Sequence, residues 1–249
     1  MPFNKLATKL IAVIHHSDDA LSIENARMAD EAGFDGVCLI HMDGFDELID
    51  RPAMQIKRDF PRLKVIANRL TTPPDLIVER DLALGLDGSW VDNPGVSSNG
   101  YSAVAERYRL AYQYARSVNM NYLFFGSVAF KTQRPEPSDE HAADAATKAA
   151  VLGWIATTSG PATGIAPDLQ KLRTMRHRIP NSDFAVASGV TPENAADISL
   201  LVDWILVSTG ISKDFHTFDL EKMKKLKAAT LLPEKLSVRN GGTRWDHDR

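Results

Sequence analysis

The sequence predicts a closed barrel of eight parallel strands, each followed by a helix, known as the (β/α)8 or TIM-barrel fold. Eight short apolar segments recur along 249 residues, and each leads through a turn into a helix-like segment. These segments show little alternation of apolar and polar residues, which is typical of parallel strands buried on both faces. Eight units suit a closed barrel, whereas an open doubly wound sheet more often has about five to seven strands.

The strand segments are short runs rich in apolar and β-branched residues. They are predicted at 10–15, 36–41, 64–68, 88–92, 122–126, 153–157, 184–188 and 203–208. The first strand runs into His-His-Ser-Asp-Asp-Ala, which contains no glycine, whereas an open nucleotide-binding sheet favours a glycine-rich turn there. The sequence therefore favours the barrel.

Helix start and stop signals stand between the strands. The stretch 18–33 places Leu21, Ala26, Ala29 and Ala32 on one side and ends on Gly33, a residue suited to the end of a helix. After the seventh strand, Thr191 is predicted to cap a helix and Pro192 to be its first residue. Since no linker or composition shift divides the chain, we predict one barrel domain over 1–235 and a polar, loose tail over 236–249.

Composition and charge argue against several classes of function. The formal net charge is −3, so no overall basic field favours nucleic acid as a partner. No stretch approaches the roughly 20 apolar residues that span a bilayer. Cys38 is the single cysteine, so no disulfide can form within the chain. We therefore expect a cytoplasmic protein without a membrane span.

The ends of the last three predicted strands indicate an anion site. The loops at the carboxyl ends of barrel strands carry the active site, and phosphate sites frequently use those after strands seven and eight. Small side chains, hydroxyl donors and free backbone N–H groups suit phosphate, although the same residues also serve as turns and caps. The residues predicted to bind phosphate or another anion are Ser159, Gly160, Thr163, Gly164, Ser188, Gly189, Ser208, Thr209 and Gly210.

The ends of strands one to five supply the candidates for catalysis, His15, His41, Asn68, Asp92 and Lys131. Asp92 follows a strand in an apolar setting, where partial desolvation would raise its pKa and suit a general base. Capping of its own loop is an equally good interpretation. Lys131 would form a Schiff base if desolvated, but a solvated or anion-pairing lysine is favoured. The histidines are favoured as hydrogen-bonding or acid–base groups.

A metal site is the weaker interpretation of the histidines. His15 and His16 are adjacent on a strand, so only one of them can face the barrel. His41 and Asp92 could join it as nitrogen and oxygen ligands. No H-x-H or H-E-x-x-H motif occurs, and we predict neither a metal nor another cofactor.

Two blocks of the sequence are rich in small and turn-forming residues. The first is S-G-P-A-T-G-I-A-P-D-L at 159–169, and the second is S-G-V-T-P-E-N at 188–194. Together they resemble the BtpA/SgcQ family of barrel proteins. Members carry similar S-G-x-A-T-G-x-x-P-D-L and G-S-G-V-T-P-x-N blocks, with weaker matches over most of the chain. The resemblance implies a TIM barrel related to phosphate-binding barrels. One branch of the family is linked to photosystem I biogenesis, and another sits among sugar-utilisation genes.

The chain departs from the family pattern mainly in the loops that would face a substrate. The family's R-N-D run after the third strand is replaced by R-L-T-T-P-P-D after Asn68. The family's G-T-S-L-K after the eighth strand is replaced by S-T-G-I-S from Ser208, and its strand-four asparagine by Asp92. The substrate-facing half is therefore where a change of specificity is expected.

The main hypothesis from the sequence is an enzyme acting on a phosphorylated small molecule, either a sugar phosphate or a nucleotide-like compound. Two alternatives stay open. One is a non-catalytic assembly or stability factor, as the photosystem-linked branch suggests, and the other is a metal-dependent hydrolase centred on His15, His41 and Asp92. Association into a homo-oligomer is expected only because such barrels often associate.

Overall fold

In the computed structural model, which describes residues 7–231, the chain forms a closed barrel of eight parallel strands. Each strand pairs with its neighbours in the chain, and the eighth pairs with the first. The predicted fold class is confirmed. The ends of the predicted strands lie within two residues of the observed ends. The predicted domain boundary at 235 and the predicted tail lie outside the described residues. The strands are β1 Lys9–His15, β2 Gly36–Ile40, β3 Lys64–Asn68, β4 Gly88–Val91, β5 Leu123–Ser127, β6 Ile155–Ser159, β7 Phe184–Ala187 and β8 Trp204–Val207.

Eight α-helices alternate with these strands within residues 7–231. None of them is long and apolar enough to cross a membrane. Asp18, Ser102, Ser138, Asp168 and Asp219 each begin a helix by accepting a backbone N–H with the side chain. The helices are α1 Asp19–Glu31, α2 Asp50–Asp59, α3 Pro74–Ala83, α4 Ala103–Val118, α5 Asp139–Val151, α6 Leu169–Arg178, α7 Ala195–Ser199 and α8 Leu220–Thr230.

The start of α7 differs from the prediction. The helix begins at Ala195 rather than at Pro192, and Thr191 is not its cap. The reason is Asn194, whose Oδ1 accepts the Thr191 N–H at 2.8 Å while its Nδ2 donates to the Gly189 carbonyl at 2.9 Å. These two bonds fold the residues after β7 into a turn, which shortens the helix and places the turn at the barrel mouth.

Three short elements escaped the sequence pattern, and all lie in loops at the carboxyl ends of strands. A 3-10 helix at Asp46–Ile49 follows β2. A two-stranded hairpin, Val96–Ser97 with Gly100–Tyr101, follows β4. A 3-10 helix at Thr209–Ile211 follows β8. Each is too short to show periodicity, so only the backbone reveals it.

The apolar core forms two layers, one inside the barrel and one between the barrel and the helices. Trp90, Phe125 and Trp204 fill the interior, and Phe130 reaches it from the loop after β5. Cys38 is fully buried there, and burial raises the pKa of its thiol well above the usual value, so it is an inert core residue. The packed interior leaves the mouth of the barrel as the place for chemistry.

Candidate functional site

The layer of side chains at the carboxyl ends of the strands, which forms the barrel mouth, includes two of the predicted catalytic residues. Strand register aligns His15 with Ile40, Ile40 with Asn68, and Asn68 with Trp90. Ile40 and Trp90 belong to the interior cluster, so His15 and Asn68 face the same side, at the carboxyl ends of β1 and β3. The alternation of strand side chains therefore brings these two residues to the barrel mouth.

Asn68 and Asp92 form a hydrogen-bonded pair. The Asn68 amide Nδ2 donates to Asp92 Oδ1 at 2.9 Å, and the Asn68 side chain is almost fully buried. Its Oδ1 has no hydrogen-bond partner in residues 7–231. Burial raises the pKa of Asp92, against the opposing effects of the Asn68 bond and the Lys131 charge. Asp92 thus has the electrostatic setting of a general base that titrates above the usual carboxylate range.

His15 is a half-buried imidazole stacked on Phe215, with ring centroids 4.2 Å apart. Its Nδ1 lies 3.1 Å from the Phe215 carbonyl oxygen, which can only accept, so Nδ1 carries the proton and Nε2 is the basic nitrogen. Burial lowers the pKa of His15 against the opposing effect of the bond to the Phe215 carbonyl, and the nearby Lys131 charge lowers it further. The ring is therefore neutral at pH 7 and suited to accept a proton or a hydrogen bond.

His41 occupies a different environment from His15, Asn68 and Asp92. It follows the interior residue Ile40, and its ring packs 5.8 Å from His16 and 5.3 Å from Phe45. His16 is bound to Ser22 of α1 through Nδ1 at 2.9 Å, so this pair lies between the barrel and its helices. Within residues 7–231 no group of three or more His, Cys, Asp or Glu residues is placed to hold a metal ion. The structure therefore provides no ligand set for the metal hypothesis.

Lys131 connects the two halves of the mouth. Its Nζ donates to Thr163 Oγ1 and to Ser188 Oγ, both at 2.9 Å. Burial lowers the pKa of Lys131, and the charge of Asp92 opposes that shift. No carboxylate oxygen lies within 4 Å of this ammonium in the described part of the chain. An ammonium that is half-buried, held by two hydroxyls and not paired with an acid is well placed to receive an anion.

Glycines in the loops after β6, β7 and β8 allow close backbone packing, within the loop after β6 for Gly160 and between neighbouring loops for Gly189 and Gly210. A Cβ on Gly160 would lie 1.9 Å from the Ile165 carbonyl oxygen, and one on Gly189 would lie 2.2 Å from the Ala166 nitrogen. A Cβ on Gly210 would lie 2.0 Å from the Val190 carbonyl oxygen. Close approach of backbones, rather than an open cradle, therefore explains these three glycines. Whether their amides also contact an anion stays a prediction.

Several donors in the same loops remain available for a ligand. Among residues 7–231 the backbone N–H groups of Thr209 and Gly210 have no acceptor, since the short helix after β8 begins there. Thr163 and Gly164 are exposed, and nothing lies within 4 Å of a Cβ placed on Gly164. Ser159 is buried, and its Oγ accepts the Lys131 backbone N–H at 2.9 Å, so it helps to position the loop that carries the lysine. Its contact with an anion stays a prediction.

Sequence reasoning missed four residues that shape the mouth. Phe215 and His216 follow the predicted loop after β8, and the position of a single aromatic after a loop gave no signal. Gln133 Nε2 donates to the carbonyls of Asp92 and Ser127 at 2.9 and 2.8 Å. Lys171 Nζ reaches from α6 to the carbonyls of Ala129 and Ser159 at 2.8 and 3.0 Å. Burial lowers the pKa of Lys171 to about 8.

Two clefts border the loop after β5. One, of about 460 Å³, lies between this loop and the loop after β6 and includes Lys131 and Lys171. The other, of about 480 Å³, lies between the loop after β5 and the hairpin after β4. Gln133 and Glu136 line both clefts, so the loop after β5 separates them. Either cleft is large enough for part of a small molecule beside the mouth.

Comparison with known proteins gives the fold and leaves the family open. No protein-family model matches the chain, and no curated protein matches it. Solved structures match over nearly the whole chain. The chain has the TIM-barrel fold.

Three of these structures illustrate the likeness. A 3-hexulose-6-phosphate synthase matches with a TM-score of 0.65 and 15% identity, over 89% of this chain and 99% of that one. Phosphoribosyl anthranilate isomerase from Thermus thermophilus matches with a TM-score of 0.61 and 13% identity, over 89% of this chain and 98% of that one. The third is (S)-3-O-geranylgeranylglyceryl phosphate synthase from Thermoplasma acidophilum, in complex with sn-glycerol-1-phosphate. It matches with a TM-score of 0.61 and 15% identity, over 91% of this chain and 94% of that one. At these identities the likeness establishes the fold alone.

Proposed function

We propose that the chain is an enzyme acting on a phosphorylated small molecule, with the phosphate held by Lys131 and the loops after β6, β7 and β8. The observation that carries the proposal is the Lys131 ammonium, which two hydroxyls hold and which no carboxylate oxygen of residues 7–231 approaches within 4 Å, Asp92 acting on it only from farther away. A half-buried cation is costly unless a counter-charge arrives, and a bound phosphate would supply it. The cation thus favours an anionic substrate.

The hydroxyls that contact Lys131, together with the amides after β8, fit a phosphate better than a carboxylate. Thr163 and Ser188 contact the ammonium, while the Thr209 and Gly210 N–H groups have no acceptor in the described chain. A phosphate presents three oxygens in different directions, so it uses donors from several loops at once. The two hydrogen bonds to hydroxyls also favour an anion-binding ammonium over a Schiff-base amine, whose lone pair would have to be free.

Asp92, Asn68 and His15 would act on the other end of the substrate. Asp92, with its raised pKa, serves as the proton acceptor, and the Asn68 amide fixes its orientation. The neutral His15 ring presents Nε2 for a hydrogen bond or a proton. A phosphate anchored in the opposite loops would hold the reacting atoms against these groups and reduce the entropy cost of the reaction.

The comparisons support the substrate class by analogy, and the sequence blocks support a family. The names of the three barrels above each include a phosphorylated compound. We propose membership of the BtpA/SgcQ family from the blocks at 159–169 and 188–194, together with a cytoplasmic location. The predicted homo-oligomer and the scaffold alternative have no specific support among the residues described.

A thermal-shift screen with matched pairs tests this function. Ribose 5-phosphate, glycerol 3-phosphate and AMP would each be compared with ribose, glycerol and adenosine. We expect at least one phosphorylated member to raise Tm by about 5–10 °C at a hundredfold excess over its Kd, while its parent leaves Tm unchanged. If no phosphorylated compound shifts Tm, the proposed function is wrong and the non-catalytic scaffold becomes the better explanation.

A further inference from the structure

Phe215 is an exposed aromatic ring held in a fixed position at the mouth of the barrel. Half of its surface is accessible to solvent. One face stacks on His15 with an interplanar angle of 25°, and His216 packs against it edge-on at 5.0 Å. The ring is therefore supported on two sides and open to solvent elsewhere.

The loop that carries Phe215 is closed by a set of internal hydrogen bonds. The Lys213 N–H donates to the Thr217 carbonyl at 2.8 Å, and Ser212 pairs with Phe218 as an antiparallel bridge. Asp214 Oδ1 accepts the N–H groups of His216 and Thr217. Asn25 of α1 ties the loop to the barrel through the His216 carbonyl at 2.7 Å. Phe215 is thus presented by a preorganised loop, which lowers the entropy cost of binding against it.

The same connection after β8 supplies the donors proposed for phosphate. Thr209 and Gly210, whose N–H groups have no acceptor within residues 7–231, precede Phe215 by only a few residues. The Ser212 hydroxyl donates to the Ser208 carbonyl at 2.9 Å, which joins the start of this connection to the Phe215 loop. β8 is the barrel neighbour of β1, whose last residue is His15. The amides and the Phe215 ring therefore belong to one connection at the barrel mouth, beside His15.

We infer that the phosphorylated substrate carries an aromatic or heterocyclic ring, which stacks on Phe215. This inference rests on the proposed function, and it selects the ring-bearing class over simple sugar phosphates. A flat ring gains from contact with an aromatic face, and stacking of this kind tolerates many ring chemistries. A saturated polyol would leave the exposed Phe215 face uncovered.

Calorimetry with a graded set of phosphate esters tests the inference. Methyl phosphate reports the anion site alone, while phenyl, benzyl and 2-phenylethyl phosphate add a ring at increasing distance. We expect the best aromatic ester to bind about tenfold tighter than methyl phosphate. In Phe215→Ala this gain should fall to about twofold or less, with the Kd of methyl phosphate unchanged. Phe215→Leu should keep part of the gain, and Tyr114→Ala, which removes an exposed aromatic from α4, should keep all of it.

Each contrary result has a distinct meaning. Equal affinities for methyl and aromatic esters would overturn the stacking role while leaving the phosphate site intact. A gain that survives in Phe215→Ala would also overturn it. If the free protein self-associates and Phe215→Ala abolishes that association, a second copy covers the ring and the inference is wrong. Failure of every ester to bind would overturn the proposed function, and this inference with it.

Discussion

Two groups of buried cations in this barrel differ in how their charge is balanced. Arg69, at the end of β3, is fully buried and pairs with Asp81 and Asp50, each at 2.8 Å. Lys131 and Lys171, beside the loop after β5, bond only to hydroxyls and backbone carbonyls, and no carboxylate lies within 4 Å of either in residues 7–231. Arg69 therefore has its counter-ions within the protein, whereas Lys131 and Lys171 are available to pair with an anionic ligand.

The Arg69 network lies between the barrel and its helices. Its partner Asp81 is fully buried and also accepts the Ser89 hydroxyl at 2.5 Å. Burial raises the pKa of Asp81 to about 6, with Arg69 opposing the shift. Arg69 and its carboxylates therefore neutralise one another within the protein, whereas the charge of Lys131 is left for a bound anion to balance.

Removing Arg69 should produce the largest loss of stability. Arg69→Met leaves Asp81 buried without its counter-ion, so the free energy of unfolding should fall by about 3–5 kcal/mol. Arg51→Met removes an exposed arginine paired with Asp19 and should cost less than about 1 kcal/mol. Urea denaturation at pH 7 measures both. Equal, small losses would show that the buried network does not hold the fold.

The loop glycines allow a matched test of packing in the anion-binding half. Gly189 has φ near +69° and no space for a Cβ, so Gly189→Ala should lower the free energy of unfolding by about 3 kcal/mol. Gly164 has φ near +78° but open space around it, so Gly164→Ala should cost only about 1 kcal/mol. If both alanine variants lose the same stability, backbone conformation alone explains Gly189.

Lys171 should give the smallest change at neutral pH and a characteristic pH dependence. In Lys171→Met the lost hydrogen bonds and the relieved burial of charge oppose each other, so the net change should be about 1 kcal/mol or less. The folded pKa of about 8 lies below the ordinary lysine pKa of 10.5, so between these values the unfolded chain binds more protons. Wild-type stability relative to the variant should therefore rise from pH 8 to pH 10.5. A difference independent of pH would contradict the lowered pKa.

The fold could be predicted from the sequence because buried parallel strands leave continuous apolar runs. Each of the eight runs reappears as a barrel strand, from Lys9–His15 to Trp204–Val207. The start of α7 could not be predicted. Asn194 makes two side-chain hydrogen bonds that hold residues 189–194 in a turn instead of a helix, and its residue type alone does not reveal them. Local propensity was overruled there by a side-chain network.

Only the site residues at or just after the ends of strands could be predicted from the sequence. The structure brings together His15, Asn68, Asp92 and Lys131 at one mouth, whereas His41 packs with His16 outside the barrel. Lys171 and Phe215 were missed because their positions depend on tertiary contacts: one reaches across from a helix, and the other is held by a loop bound to Asn25. The roles proposed for these residues stay predictions until ligands are measured.

The binding of phosphate to Lys131→Met tests the central claim most directly. Calorimetry with inorganic phosphate or with the best compound from the screen would give Kd for wild type, Lys131→Met and the exposed control Lys224→Met. We predict a Kd about 10–100-fold weaker in Lys131→Met, because a charge-assisted hydrogen bond is lost, and an unchanged Kd in Lys224→Met. The free energy of unfolding should not fall. Equal affinity in wild type and Lys131→Met would contradict the account.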